Sequence, residues 1–246
     1  MPHQAKPDAL TDRIILVTGA ADGIGAAVAK AYAHHGATVI LLDKDIPKLE
    51  QVYDEIEAAG DPTPAIYPLD LKGATVDDYG VLVDSITDNF GRLDGLLHNA
   101  AQLGQLAPVQ HQDPQEWLET LHTNLSAAFL LTRACLPLML KTPTDHGAII
   151  FTTDEHKNKA YWSSYGVSKA GIEAFSLQLA DELEADGHIR VNCIDPGTVD
   201  THLHTQAFPA LDPKKLPSPQ AITAPYLYLM DPISHTVHGQ SLATPF

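Results

Sequence analysis

A phenol and an ammonium stand four residues apart in Tyr165-Gly166-Val167-Ser168-Lys169. On a helix that spacing puts both on one face, one turn apart. A lysine cation near a tyrosine favours the phenolate and lowers the phenol's pKa from its usual value of about 10. A tyrosine tuned this way gives a proton to a carbonyl oxygen, or takes one from an alcohol, while hydride moves. The same pair is common on protein surfaces, so its meaning rests on the elements around it.

The second chemical stretch is Thr18-Gly19-Ala20-Ala21-Asp22-Gly23-Ile24-Gly25. An apolar, β-branched run (residues 13–17) precedes it and reads as a buried strand; an alanine-rich run (26–33) follows and reads as a helix. Strand, glycine-rich turn and helix together hold a dinucleotide. Helix N–H groups around Ile24 and the helix dipole face the pyrophosphate, while Gly19, Gly23 and Gly25 permit the turn and close packing. A second strand, 36–43, ends in Asp43, eighteen residues past Gly25. An acid there accepts from a ribose 2′-OH and repels a 2′-phosphate, and Asp22 adds a second negative charge. The balance favours NAD over NADP, with Lys44 the one nearby cation arguing the other way.

Positioning these groups takes a whole alternating chain. Strands are expected at 65–69, 93–98, 147–153, 188–194 and 239–242, with helices at 44–59, 76–90, 114–140, 163–185 and 219–230. There is no internal repeat or composition break. The pattern predicts an α/β protein, one doubly wound parallel sheet of Rossmann type over 1–246 with helices on both faces. Ligands of such sheets bind beyond the C-terminal strand ends. Thr18-Gly19, Asp43, Asp70, Asn99, Thr153-Asp154 and Pro196-Gly197 all fall there. The loops at 102–110, 154–162 and 198–217, the last expected to be irregular, are left to shape the substrate.

Composition narrows the partners. Of 246 residues 44 % are hydrophobic, ample for a core, and the formal charge is −16. That charge argues against nucleic acid and anionic membrane, which need a basic face. No uninterrupted apolar run reaches the roughly 18 residues of a membrane span. Met1 to Asp8 lacks the apolar segment of a signal peptide and reads as a short arm. Cys135 and Cys193 read as buried thiols, in keeping with a cytoplasmic location. The thirteen histidines are scattered, and no cysteine or acidic cluster joins them at zinc-site spacing, so no metal is expected.

With these motifs the chain resembles the short-chain dehydrogenase/reductase family along nearly its whole length. Thr18-Gly19-x-x-x-Gly23-x-Gly25, Asp70-Leu71, Asn99-Ala100-Ala101, Asn124, Tyr165 with Lys169, and Pro196-Gly197-x-x-x-Thr201 carry the likeness. Residues 12–17, 160–162 and 226–230 look most like bacterial YciK-type oxidoreductases, themselves similar to 3-oxoacyl-carrier-protein reductases. The resemblance implies hydride transfer between a nicotinamide and a carbonyl or secondary alcohol. Tyr165 would be the general acid/base. Lys169 would hold the ribose and lower the Tyr165 pKa. Asn124 would bind a water through its main chain. Asp70 and Leu71 would contact the adenine, and Asn99, Pro196, Val199 and Thr201 would border the nicotinamide. It also implies a homodimer or homotetramer built on the apolar surplus of the two long helices.

Three departures stand out. The family places a serine near the end of the fifth strand. Counting back from Tyr165 reaches Thr152, and counting along the strand reaches Asp154. Thr152 or Thr153 is expected to supply the hydroxyl, with Thr153 the candidate, since an ionised Asp154 would oppose a developing alkoxide. Ala101 replaces a glycine. The chain ends Ser241-Leu242-Ala243-Thr244-Pro245-Phe246 instead of with an Asp-Gly-Gly. The missing serine and the acidic loop also motivate an alternative, a non-catalytic dinucleotide-binding protein with a redox-sensing or scaffold role.

Overall fold

In the first strand, β1 (Ile14–Thr18), all five residues are buried. Ile15 and Val17 face one layer of helices, and Ile14 and Leu16 face the other, as the two-residue period of a strand dictates. A strand covered on both sides must read as continuously apolar. The computed structural model, which describes residues 5–142, 146–185 and 187–244, places such runs at the centre of a seven-stranded sheet. The other strands are β2 (Thr38–Asp43), β3 (Ala65–Pro68), β4 (Gly95–His98), β5 (Gly147–Thr152), β6 (Ile189–Asp195) and β7 (Gln240–Ala243). Their order is β3-β2-β1-β4-β5-β6-β7, every pair parallel. This is the expected doubly wound α/β sheet. Residues 1–4 of the N-terminal arm and 245–246 of the C-terminus lie outside the described residues.

One face is covered by α1 (Gly23–His34), α2 (Ile46–Ala59) and α8 (Thr223–Met230). Val28, Tyr32, Val52, Ile56, Tyr226 and Leu229 pack there. The other is covered by α3 (Val76–Phe90), α5 (Ala127–Lys141) and α6 (Ser163–Leu183), through Leu82, Ile86, Leu131, Cys135, Ile172 and Leu179. Both cysteines are buried free thiols, and burial pushes Cys135 up to about 12 and Cys193 to about 11. A neutral core histidine completes this layer. His98 stacks on Phe151, bonds Thr132 Oγ1 at 2.8 Å, and burial pulls its pKa down to about 3.

The structure departs from expectation in two helical regions. The helix expected over 114–140 is α4 (Pro114–Leu121) and α5 joined by a π-turn at His122–Ser126. Among the described residues, Pro114–Lys141 is the one stretch long and apolar enough to cross a membrane by length and composition. No uninterrupted apolar run announced it, because the polar residues at its turns dilute the pattern; much of its apolar side is the core packing just described. The 198–217 segment, expected to be irregular, holds a short helix, α7 (His202–Ala207), begun by Thr201, whose hydroxyl accepts from His204 N at 3.2 Å. Thr201 is a normal N-cap; the surrounding prolines and histidines hid it.

Candidate active site

The strand order reverses between β1 and β4, and a cleft of about 580 Å³ opens along the C-terminal strand ends there. Thr18 ties the two strands together at that point. Its hydroxyl accepts from Asn99 N at 3.0 Å and Ala100 N at 3.1 Å and donates to Leu97 O at 3.3 Å. Thr18 was read only as part of the turn; its role as a strand tie shows once β1 and β4 are neighbours.

The glycine turn has no room for side chains where the phosphate approach demands none. A Cβ on Gly19, at φ +69°, would lie 2.9 Å from Ala100 Cα, and one on Gly25 would lie 1.9 Å from Gly19 O. Gly23 opens toward Thr201 across the cleft, its would-be Cβ meeting nothing closer than 3.4 Å. Asp22 caps α1, accepting from Gly23 N at 2.7 Å, and pairs with Lys48 at 2.7 Å, which holds its carboxyl below the usual range. The bare turn at a helix N-terminus, walled by Thr201 and Val199, fits a dinucleotide's phosphates.

Asp43 is turned partly onto its own chain. Oδ1 accepts from Lys44 N at 2.7 Å and Asp45 N at 3.1 Å, and Oδ2 lies 3.4 Å from Ala21 N. Lys44 and Lys48 line the same end of the cleft, as do Asp70 and Leu71. Pro196, Val199 and Thr201 line it beyond β6. Gly25 stands behind the turn. Asn124 sits behind the cleft too, buried in the π-turn. It bonds Gln102 N at 2.7 Å, Gln102 O at 2.9 Å and Ser168 Oγ at 3.1 Å. Its side chain therefore pins the β4 loop to α6.

Tyr165 and Lys169 emerge from the first two turns of α6 and meet the cleft as their spacing requires. The Lys169 ammonium is fully buried, 5.6 Å from the Tyr165 ring centroid, and donates to Thr152 O at 2.8 Å. Burial pulls its pKa down to about 8, an effect that Asp154 and Asp195 partly offset. Tyr165 is pushed upward, first by burial, then by the charge and hydrogen bond of Asp154. The expected lowering by Lys169 is thus outweighed in the unliganded site.

The residue opposite Tyr165 corrects the expectation for Thr153. Thr153 Oγ1 is buried and donates to Lys169 O at 3.2 Å, so its hydroxyl supports α6. Thr152 Oγ1 lies 3.2 Å from Tyr226 OH on the α8 side. Asp154 takes the facing place: its Oδ2 accepts from Tyr165 OH at 2.8 Å. Thr152 and Thr153, at the end of β5 and just past it, are engaged with α8 and α6 respectively. Asp154, the next residue, lines the cleft with them and reaches Tyr165 OH.

Beyond Asp154 the chain makes one 3-10 turn, Glu155–Asn158, capped by Asp154 itself. His156 donates its backbone N–H to Asp154 Oδ1 at 2.7 Å, with its Nδ1 2.6 Å from the same oxygen. Its ring stacks on Trp162 at 3.9 Å. Tyr161 and Ser163 hold positive φ, 71° and 50°, on either side of Trp162 and present it to the cleft. Phe208, past α7, stands 5.8 Å from Trp162, and His204 stands 4.9 Å from Phe208. His156, Trp162, His204 and Phe208 were not singled out from sequence; only the loops that carry them were. Among the described residues, no three His, Cys, Asp or Glu side chains gather as metal ligands.

Known proteins match this arrangement. A model of the short chain dehydrogenase family matches residues 13–212. The uncharacterized oxidoreductase YciK of Escherichia coli K12 is 43 % identical, over 98 % of this chain and 95 % of its own. A short chain dehydrogenase from Shigella flexneri, solved in complex with NADP, superposes with a TM-score of 0.93 at 42 % identity, covering 97 % of this chain and 99 % of that one. Another, from E. coli CFT073 in complex with NADPH, gives a TM-score of 0.93 at 42 % identity, covering 98 % and 100 %.

Proposed function

Because the chain belongs to the short-chain dehydrogenase/reductase family of NAD(P)-dependent oxidoreductases, we propose that it interconverts a ketone and a secondary alcohol with NADP(H), using Tyr165 as the proton-transfer group. The observation that carries this reading is the meeting of Tyr165 and Lys169 with the glycine turn in one cleft.

A bound nicotinamide supplies the hydride donor or acceptor. Tyr165 gives its proton to the carbonyl oxygen in reduction and takes one back in oxidation. Burial and Asp154 keep the phenol protonated at neutral pH, the form that reduction needs. Lys169 is held beside it by Thr152 O and would hold the ribose. Asn99 and Val199, on the cleft wall, would border a nicotinamide, and Asp70 with Leu71 would contact an adenine.

The choice of NADP(H) departs from the NAD suggested by Asp43 alone. Two backbone N–H groups already occupy Asp43 Oδ1, which leaves it a weaker ribose acceptor. Lys44 and Lys48 stand at the same end, suited to a 2′-phosphate, and two relatives were solved with NADP or NADPH. The two buried free thiols suit a cytoplasmic location. Fluorescence titration should give tighter binding of NADPH than of NADH, and Lys48→Ala should narrow the gap. Tyr165→Phe should lose at least about a hundredfold in kcat, the lower end of general acid-base contributions. Tighter NADH binding defeats the cofactor assignment, and a Tyr165→Phe variant with full rate defeats the catalytic one.

A further inference from the structure

A group beside the oxygen that becomes an alkoxide should donate hydrogen bonds, because donors stabilise the growing negative charge. Here that place belongs to a carboxylate. Asp154 Oδ2 lies 2.8 Å from Tyr165 OH, and Oδ1 is engaged by the backbone and ring nitrogens of His156. An ionised carboxylate offers about four acceptor positions, so these three contacts leave it able to take another donor. For a neutral ketone or alcohol, its charge works against the reaction.

The surroundings add to the same sign. Asp195, at the end of β6, has its carboxyl pushed upward first by burial and then by the charges of Asp154 and Glu155. Of the nearby ammonium groups, Lys169 is held by Thr152 O and Lys157 by Glu173 at 2.7 Å; the basic group against the carboxylate itself is the His156 ring, 2.6 Å from Oδ1. The facing wall is aromatic, made by Trp162 and Phe208 with His156 and His204 packed against them. His204 Nε2 is buried there without a hydrogen-bond partner. Aromatic faces and a carboxylate attract the same kind of ligand, a cation.

We infer that the substrate carries a positively charged nitrogen on the carbon adjacent to the one that exchanges hydride, making it a vicinal amino alcohol or amino ketone. The inference rests on the oxidoreductase reading of this cleft. The ammonium binds Asp154 and neutralises it, so the carboxylate no longer opposes charge on the reacting oxygen. In reduction the carbonyl carbon takes hydride and its oxygen takes the Tyr165 proton, which solvent replaces. In oxidation the phenol first gives its proton up to solvent, then takes the hydroxyl proton as the carbinol carbon gives hydride, and the nitrogen keeps its charge throughout. The carboxylate thereby selects for substrate while Tyr165 does the proton transfer.

Two alcohols of nearly equal shape test this, 2-amino-1-phenylethanol and 1-phenylpropan-1-ol. Their binding to NADP-saturated enzyme is read from the fluorescence of Trp162 (Trp117 serves as the control through a Trp117→Phe background), and kcat/KM from NADPH formation. The amine should bind at least about tenfold tighter and show the higher kcat/KM. Asp154→Asn should bring the two to within about twofold, with NADPH binding retained as proof of a folded cofactor site. Phe208→Leu should weaken the amine more than the neutral alcohol. Equal or tighter binding of the neutral alcohol, no binding of either, or an unchanged ratio in Asp154→Asn overturns the inference. Failure of the underlying reading looks different: NADPH does not bind, or Tyr165→Phe keeps its rate.

Discussion

Lys169 is the costliest residue in the site to keep. Its ammonium is enclosed, and burial pulls its pKa from 10.5 to about 8. Between those two values the unfolded chain binds the proton that the folded chain has released, so stability rises with pH across the window from 8 to 10.5. Below pH 8 both states are protonated and the whole penalty stands, about 3 kcal/mol for a shift of this size. Lys169→Met fills the same space without the charge, but leaves Thr152 O without its donor. The variant should therefore be inactive yet more stable than the parent by about 1–2 kcal/mol at pH 7. The gap should close towards pH 9. Urea denaturation of both proteins at the two pH values measures it, and a gap independent of pH would show that the ammonium is not desolvated. Tyr165 and Lys169 were legible in the sequence because one helical turn fixes their relation. Asp154 was not, because its place depends on where β5 stops, and two counts that differ by two residues give two different answers.

At the scale of elements, the π-turn at His122–Ser126 decides how the cleft is backed. The wider turn, closed by Ala127 N on His122 O, brings Asn124 between Gln102 and Ser168. Gln102 N and O rely on that amide, which also reaches Ser168 Oγ, itself bonded to Tyr165 O at 2.7 Å. Asn124→Ala leaves Gln102 N and O without that partner, and should cost about 1–3 kcal/mol in chemical denaturation. It should also lower kcat, because Ser168 lies on α6 between Tyr165 and Lys169. A variant as stable as the parent would mean that water replaces the amide at no loss. This turn left no trace in the sequence: a π-turn needs no particular residue type, and 114–140 reads as one helix whether or not it contains one. The strands were legible for the opposite reason. A strand covered on both faces reads as a near-continuous apolar run, as the centres of β1, β2 and β5 do, while β6 interrupts its run with buried Arg190 and Asn192. The loops carry no such constraint, so α7 and the aromatic wall behind it emerged only with the structure.

At the scale of the molecule, two facts pull in opposite directions. The chain carries a formal charge of −16, which sets copies of it against each other. Yet α5 and α6 turn apolar side chains outward: Phe129, Val167 and Leu177 are 47, 49 and 45 % exposed, and Phe129 meets Phe175 edge-on at 5.7 Å to join the two helices. The resemblance to the family implied a homodimer or homotetramer through these helices, and the outward residues are where such an interface would form. A stable interface buries about 1,200–2,000 Å² in all, more than three side chains provide, so both helices must meet their counterparts along their lengths. Sedimentation should then give a multiple of 26.5 kDa. Because the protomers repel, association should weaken as salt is lowered from about 0.1 M, where the Debye length is about 10 Å, to about 0.01 M, where it is about 30 Å. Phe129→Glu with Leu177→Glu adds charge at the contact and should yield the 26.5 kDa species at every salt concentration. A parent protein that sediments at 26.5 kDa across the micromolar range removes these faces as an interface. An assembly that tightens at low salt would show instead that opposite charges, and not the apolar helix faces, hold it together.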